Sequence, residues 1–155
     1  MSVRFAEENE LERVNELRKQ VNDLHVSGRP DIFRAGFPDE LRGLLFAFYR
    51  DPLYRIVVAE RGGVICGFAL LHRIDVPETP FKRERSFLDI DEFGVDEAYR
   101  RQGVASEMIA FIRGYARDEG FDRLELNMWE FNRSALAFYE SVGFETYRRY
   151  MEMKL

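Results

Sequence analysis

A strand-like run, a glycine turn and an amphipathic pattern follow one another directly in this chain and constrain its fold most. Residues 87–95 (Phe-Leu-Asp-Ile-Asp-Glu-Phe-Gly-Val) have the composition of a β-strand. Beyond Gly103, apolar residues recur at helical spacing and predict a helix with one buried face: Val104, Met108, Ile112 and Tyr115. Another strand-like segment follows at 122–127, so the pattern predicts a parallel strand–helix–strand crossover.

The turn between the strand and the helix has the composition of an anion-binding site. Its residues are Arg100, Arg101, Gln102, Gly103, Val104, Ala105 and Ser106. The small side chains let a ligand reach the first N–H groups of the helix, which lack helical partners and carry the positive end of the dipole. The two arginines add positive charge, so a phosphate or pyrophosphate would fit. A tight turn without a ligand is the alternative.

Two better-known phosphate motifs are excluded. Neither the P-loop pattern G-x-x-x-x-G-K-[ST] nor the dinucleotide pattern G-x-G-x-x-G occurs in the chain.

Composition narrows the class of protein. The 155 residues are 46% hydrophobic and 33% charged, which predicts one globular domain spanning residues 1–155. The net charge of −5 argues against a nucleic-acid partner, and no apolar run is long enough for a membrane helix. Two histidines and one cysteine offer no metal-ligand cluster, so no metal is expected. The N-terminus lacks the pattern of a signal peptide, and we expect a cytoplasmic protein.

The order of predicted elements indicates an α/β fold with a mixed, mostly antiparallel sheet flanked by helices. Strands are expected at 2–5, 55–60, 64–71, 86–95, 122–127 and 146–153, and helices at 11–24, 39–49, 104–118 and 132–142. Asn9 and Glu12 resemble a capping box for the first helix, whose polar face is expected to be solvated. The last strand, with Tyr147, Tyr150 and Met151, is expected either to be covered within the monomer or to pair with a second copy in a homodimer.

Two motifs together resemble those of the GNAT superfamily of N-acetyltransferases. The stretch Arg100–Ala105 is similar to the family's (Gln/Arg)-x-x-Gly-x-(Gly/Ala) loop. Asn132, Ala135 and the stretch Ala137–Phe144, which contains Phe138 and Tyr139, resemble its second motif, Asn…Ala-x-x-Phe-Tyr-x-x-x-Gly-Phe. The order of elements also matches that fold from end to end.

The resemblance implies acetyl-CoA as cosubstrate and a role for each matching residue. Backbone amides from Arg101 to Ser106 would bind the pyrophosphate. The strand end at Phe93, Gly94 and Val95 would splay from its neighbour and pair with the pantetheine arm. Asn132 would bind the cofactor near the pantetheine, with Ala135 and Phe138 beside it, and Tyr139 would lie near the sulfur as general acid.

Transfer to an amine requires the amine to lose its proton, because an alkylamine has a pKa near ~10.4. Asp89, Asp91 and Glu92 crowd the predicted central strand, and either Asp91 or Glu92 is a candidate base. Strand alternation places Asp89 and Asp91 on one face and Glu92 on the other unless a bulge intervenes. The alternative is that these acids are exposed and paired with Arg83 or Arg85.

Tyr139, Phe33 and Trp129 are the remaining candidates. A thiolate has a pKa near ~8.5 and a phenol near ~10, so we expect Tyr139 to act mainly as a hydrogen-bond donor to the leaving sulfur. A core aromatic is the alternative for Tyr139 and for Trp129. Phe33, in an irregular loop at 25–38, either lines an acceptor pocket with Trp129 and Asp89 or anchors that loop.

These patterns predict an enzyme that moves an acetyl group from acetyl-CoA to a primary amine of a small molecule. An acetyltransferase acting on proteins or peptides and a non-catalytic acyl-CoA-binding module are the alternatives. A transferase acting on charged tRNA is disfavoured by the net acidity.

Overall fold

Five strands lie in one sheet in the order of the sequence. Only the last connection, between the fourth and fifth strands, is a crossover that joins parallel neighbours. The computed structural model describes residues 1–155. The elements are β1 (Ser2–Phe5), α1 (Leu11–Gly28), α2 (Asp39–Arg50), β2 (Tyr54–Arg61), β3 (Val64–Val76), β4 (Arg85–Val95), α3 (Val104–Asp118), β5 (Leu124–Leu126) and α4 (Arg133–Ser141). β1 to β4 pair antiparallel, and β4 and β5 pair parallel around α3. The predicted mixed sheet with one parallel crossover is confirmed.

Each face of the sheet carries its own hydrophobic core. α1 and α2 cover one face with Leu11, Leu17 and Leu45 around Phe68 of β3. α3 covers the other face, and α4 packs beside it with Phe138 and Val142 against a core that includes Met108 and Ile112. None of these helices is long and apolar enough to cross a membrane.

The expected capping box at Asn9 and Glu12 is wrong. A single 3-10 turn at Glu8–Glu10 precedes α1, and the Glu10 carboxylate accepts hydrogen bonds from the Glu7 N–H at 2.7 Å and from the Arg4 guanidinium at 2.6 Å. The arginine on β1 thus fixes the start of the turn, a long-range contact that local sequence does not reveal.

The expected solvation of the polar face of α1 is also wrong in part. Asn15 and Arg18 are buried, because α2 crosses this side of the helix and accepts hydrogen bonds from both at the carbonyls of Arg42 and Leu41. β3 also runs to Val76, five residues beyond the predicted end.

The expected strand at 146–153 does not form within the chain. Residues 145–155 have no helix or strand assignment and make no backbone–backbone hydrogen bond. Tyr150 is 83% exposed and Met151 94% exposed. β5 is therefore an edge strand, paired only with β4.

A bulge in β4 positions the residues of interest. Leu70 of β3 pairs with Glu92 and Leu71 pairs with Ile90, so Asp91 is an extra residue in β4. β5 pairs with β4 only from Leu88 to Ile90. Beyond that point the two parallel strands separate, and the edge of β4 toward β5 is unpaired as far as Val95.

Candidate active site

Six consecutive backbone N–H groups are unpaired at the start of α3. The first backbone bond of this helix runs from the Glu107 N–H to the Gly103 carbonyl at 3.1 Å, so the amides of residues 101–106 have no acceptor in the chain. Gly103 has a φ of +84°. Arg101, with a φ of +62°, is the only residue other than a glycine that has a positive φ. These left-handed residues curl the backbone before the helix, a geometry that gathers N–H groups into a concave anion site.

Side chains of the same loop stabilise its conformation through hydrogen bonds to backbone carbonyls. Arg100 Nε donates to the Val95 carbonyl at 3.2 Å, and Gln102 Nε2 donates to the Ala98 carbonyl at 3.0 Å. Arg61 donates to Gln102 Oε1 at 2.7 Å. The exposed side chain of Arg101 has no hydrogen bond or ion pair in the chain, so its guanidinium is available to an anion at the unpaired amides.

The separated end of β4 lies next to this loop. Phe93 and Val95 pack against the α3 core, whereas Gly94 faces α1. A Cβ at Gly94 would lie 2.7 Å from Phe68 and 2.8 Å from Val21, so a side chain there would push α1 away from the sheet. Packing on the α1 side is therefore sufficient to require glycine at this position.

Tyr139 lies in an aromatic cluster beside the end of β4. Its ring centroid is 6.2 Å from that of Phe93, 5.4 Å from that of Phe138 and 5.6 Å from that of Phe144. Burial raises the pKa of Tyr139 to about 12. Its hydroxyl makes no hydrogen bond within the chain, so it is a protonated donor without a partner.

Asn132 is the N-cap of α4, and the capping hydrogen bonds use the oxygen of its side-chain amide. Its Oδ1 accepts hydrogen bonds from the Ala135 N–H and the Ser134 hydroxyl, each at 3.2 Å. Its Nδ2 has no partner in the chain and can donate to a ligand. The cap begins the helix whose Phe138 ring stacks on Phe93, 6.3 Å between centroids.

The bulge brings two of the three acids of β4 to the face covered by α1 and α2. Because Leu88, Ile90, Phe93 and Val95 all pack in the α3 core, Asp89 and Glu92 lie on the opposite face. Strand alternation predicts opposite faces for Asp89 and Glu92 only in the absence of a bulge, and the extra residue Asp91 is such a bulge.

The alternative pairing of these acids with Arg83 or Arg85 is not observed. Arg18 of α1 donates to both oxygens of Glu92 at 2.7 Å, while Arg85 pairs with Glu125 at 2.5 Å. Burial, with the nearby charges of Asp91 and Glu125, raises the pKa of Asp89 to about 6. Partial loss of hydration, together with Glu92, also raises the pKa of Asp91, although its side chain still reaches solvent.

Phe33 and Trp129 meet on the same side of the molecule. Their rings pack edge to face with centroids 5.2 Å apart, and Arg29 lies 5.7 Å from the Trp129 ring centroid. These contacts pack the loop after α1 against the segment after β5.

His25 joins Phe33 and Trp129 on this side of the molecule, and these three rings form an aromatic wall. The sequence did not predict a role for His25. It stacks on Phe33 with centroids 4.9 Å apart, and burial lowers its pKa, with Glu92 opposing the shift. The only sequence signal was its position at the end of an amphipathic helix next to an aromatic loop. No group of three or more His, Cys, Asp or Glu side chains is arranged to hold a metal ion.

The candidate site therefore has two halves that meet where β4 and β5 separate. Unpaired amides, Arg101 and Tyr139 lie on the α3 side. Acids and the aromatic wall lie on the α1 side. Such an arrangement suits a long anionic ligand that enters from one face and a cationic one that enters from the other.

Comparison with known proteins identifies the class. Residues 18–144 match the family described as "Acetyltransferase (GNAT) family". The chain belongs to this acetyltransferase family, and the predicted family and class of enzyme are confirmed.

Individual relatives are similar over part of their length. The chain is 33% identical to the N-alpha-acetyltransferase RimI of Mycobacterium tuberculosis over 102 residues, 64% of this chain and 59% of that protein. It is 32% identical to human N-acetyltransferase 8 over 88 residues, 57% of this chain and 37% of that protein. The chain thus spans less than two thirds of the length of these curated relatives.

A solved structure matches from end to end. A crystal structure of a mutant BH1408 protein from Bacillus halodurans superposes with a TM-score of 0.95 at 29% identity, covering 100% of this chain and 99% of that one.

Proposed function

We propose that this chain, as a single N-acetyltransferase domain over residues 1–155, transfers the acetyl group of acetyl-CoA directly to a primary amine of a small molecule. The observation that carries the proposal is the run of six unpaired N–H groups at 101–106, which lies next to an unpaired strand edge and an unpartnered tyrosine hydroxyl. Acetyl-CoA needs all three: an anion site, a backbone for its amide-containing arm and a donor at its sulfur.

The donor half binds the cosubstrate. Pyrophosphate oxygens accept hydrogen bonds from the amides of residues 101–106 and from the guanidinium of Arg101. The pantetheine amides pair with the open edge of β4 at Phe93–Val95. Asn132 Nδ2 donates to the same arm, and Ala135 and Phe138 supply a small and an apolar neighbour.

Tyr139 assists the departure of the thiolate. The amine nitrogen forms a bond to the thioester carbon, the C–S bond breaks, and the electron pair goes to sulfur. Because the Tyr139 pKa is about 12 and a thiol pKa is near ~8.5, full transfer of the phenol proton to the thiolate is uphill by about 5 kcal/mol. Tyr139 therefore donates a hydrogen bond to the developing thiolate, and the proton that finally reaches sulfur comes from the amine.

The acceptor half attracts and deprotonates the amine. Asp89, Asp91 and Glu92 favour a cationic acceptor, and Phe33 and Trp129 form its apolar wall. Both oxygens of Glu92 are engaged by Arg18, so Asp91 is the better-placed proton acceptor, through water, with its raised pKa making it more basic than an ordinary aspartate.

A peptide amine is the second candidate acceptor. It is favoured by the similarity to a mycobacterial protein named as an N-alpha-acetyltransferase.

The test is thiol release from acetyl-CoA with a panel of polyamines, amino acids, aminoglycosides, aryl amines and short peptides. Tyr139→Phe should lower kcat by roughly 10²–10⁴ and leave acetyl-CoA affinity nearly unchanged, because only a transition-state hydrogen bond is lost. Tyr49→Phe, on the surface of α2, is the matched control and should behave as wild type. A small-molecule hit supports the proposal, and a hit confined to peptides supports the second candidate. Acetyl-CoA binding without turnover of any acceptor would instead indicate a non-catalytic binding module.

A further inference from the structure

His25 is an ionisable side chain of the aromatic wall that has no part in the transfer described above. Its half-buried imidazole stacks on Phe33 with ring centroids 4.9 Å apart and meets Phe131 edge to face at 6.3 Å. Neither ring nitrogen has a hydrogen-bond partner in the chain, and both remain accessible to solvent. The ring is therefore free to form a hydrogen bond with a ligand.

The register of α1 places His25 over the gap between β4 and β5. One face of the helix carries a row of residues spaced three or four apart: Arg18, Val21, His25 and Gly28. Val21 packs on β4, because a Cβ at Gly94 would lie 2.8 Å from its side chain. Gly28 lies against the ring of Phe131, beyond the end of β5, and a Cβ there would overlap that ring. His25 stands between these two contacts, so its ring lies above the point where the parallel strands separate.

The surroundings of His25 keep its imidazole neutral at pH 7. Burial lowers its pKa from the ordinary value near ~6.5, and the charge of Glu92 opposes this shift only in part. Arg18 already holds the Glu92 carboxylate through two hydrogen bonds. Charged residues in the loop and in the segment that pack on the ring pair among themselves, Arg29 with Asp31 and Glu130 with Arg133. A neutral imidazole carries a nitrogen lone pair that can accept a hydrogen bond.

We propose that His25 is a catalytic residue of the acceptor half, whose neutral imidazole accepts a hydrogen bond from the attacking amine. The assignment rests on the proposed function, in which the ammonium group first loses a proton through water to Asp91. The neutral amine then donates one N–H to the free nitrogen of His25 and keeps its lone pair for the thioester carbon.

This hydrogen bond strengthens as the reaction proceeds. When the nitrogen–carbon bond forms, the amine nitrogen becomes positive and its N–H becomes a stronger donor. An interaction that is stronger in the transition state than in the ground state accelerates the chemical step. His25 takes no proton in this step, and the proton that reaches sulfur still comes from the amine nitrogen.

Two substitutions separate the hydrogen bond from the packing of the ring. His25→Phe keeps a flat ring for the stack on Phe33 and removes both nitrogens. With the acceptor panel described above, it should lower kcat/KM for the amine about 10- to 100-fold, because a hydrogen bond to a developing charge is lost. His25→Gln keeps an uncharged acceptor oxygen and should stay within about five-fold of wild type. Acetyl-CoA affinity, measured by calorimetry, should be unchanged in both variants.

The control is Asp23→Asn, which removes an ionisable group from the exposed side of α1. It should match wild type in rate and in pH dependence. Thermal melting of all three variants checks that the fold is intact.

The pH dependence tests the protonation state of the imidazole. Protonation uses the lone pair and adds a positive charge that repels an ammonium group. The ratio of kcat/KM between wild type and His25→Gln cancels the titrations that the two enzymes share, including those of the acceptor and of Asp91. This ratio should be constant at high pH and should fall below the His25 pKa, which lies below ~6.5. NMR titration of the ring in the acetyl-CoA complex should give the same pKa.

Three results would overturn the assignment: wild-type rates for His25→Phe, a rate ratio that does not follow the titration of the ring, and a folded His25→Gln variant as slow as His25→Phe. A wild type that turns over no amine of the panel would instead refute the proposed function, and this assignment with it. The failure of the assignment alone thus differs from the failure of the proposed function, because only the former leaves the wild type active.

Discussion

Replacing Gly103 by alanine should separate cosubstrate binding from stability. Gly103 and Gly120 flank α3, with φ +84° and +80°, and a Cβ at either position would meet no protein atom within 4 Å. The two positions thus carry the same backbone strain and the same freedom from clashes. They differ in what lies next to them, because only Gly103 belongs to the run of unpaired amides.

The cost in stability should be equal for the two variants. An L-residue in the left-handed region costs roughly 1–2 kcal/mol relative to glycine. For a domain of this size that lowers Tm by about 2–8 °C. Gly103→Ala and Gly120→Ala should therefore melt within a few degrees of each other, both below wild type.

The cost in acetyl-CoA affinity should differ. An oxyanion must approach these amides to about 2.7–2.9 Å, and a methyl group at Gly103 would project into the space the anion needs. Losing one hydrogen bond to a charged oxygen costs about 1.5–3 kcal/mol. Gly103→Ala should bind acetyl-CoA about 10- to 150-fold more weakly, while Gly120→Ala should bind it as wild type.

Calorimetric titration of acetyl-CoA, beside thermal melts, measures both quantities. Desulfo-CoA in parallel checks that the loss concerns the nucleotide part rather than the thioester. Equal affinities of the two variants would refute the assignment of residues 101–106 as the pyrophosphate site, whatever their stability.

Two further predictions concern the acids of β4. Because the pKa of Asp89 is raised to about 6, its charge destabilises the fold above that pH and costs nothing below about pH 4. In urea unfolding, Asp89→Asn should have a free energy of unfolding about 1–2 kcal/mol higher than wild type at pH 7.5 and little higher at pH 4. Glu78→Gln, in an exposed loop, is the control and should gain nothing. A gain for Asp89→Asn that does not depend on pH would contradict this prediction. Arg18→Met should cost about 2–4 kcal/mol because Glu92 loses its partner, and adding Glu92→Gln should recover part of that loss; additive losses would contradict it.

Local signals were enough to predict most elements and the donor half of the site. Gly103, the helical spacing beyond it and the Asn132 motif are each encoded within a few residues, so their backbone geometry follows from the sequence. The unpaired amides at 101–106 lie where the glycine turn predicts them. Their role in binding remains a prediction.

Long-range pairs were not predictable in the same way. Arg18 and Glu92 are 74 positions apart, and nothing in the polar face of an amphipathic helix marks one arginine as buried. His25 joins the aromatic wall only because α1 ends beside Phe33. The prediction of a strand at 146–153 is wrong, because no strand of the same chain pairs with this segment and sequence alternation does not specify a partner.

The bulge at Asp91 links the two halves of the site. In a regular strand, Glu92 would share the face of Ile90 and point toward α3, and Phe93 would point toward α1. The extra residue reverses both directions, so Glu92 meets Arg18 and Phe93 meets the ring of Tyr139. It lies only one residue past the last β4–β5 pair, where the strand edge opens. The extra residue Asp91 thus lets Glu92 face α1 and Phe93 face α3 at the point where, in the proposed function, the two substrates meet.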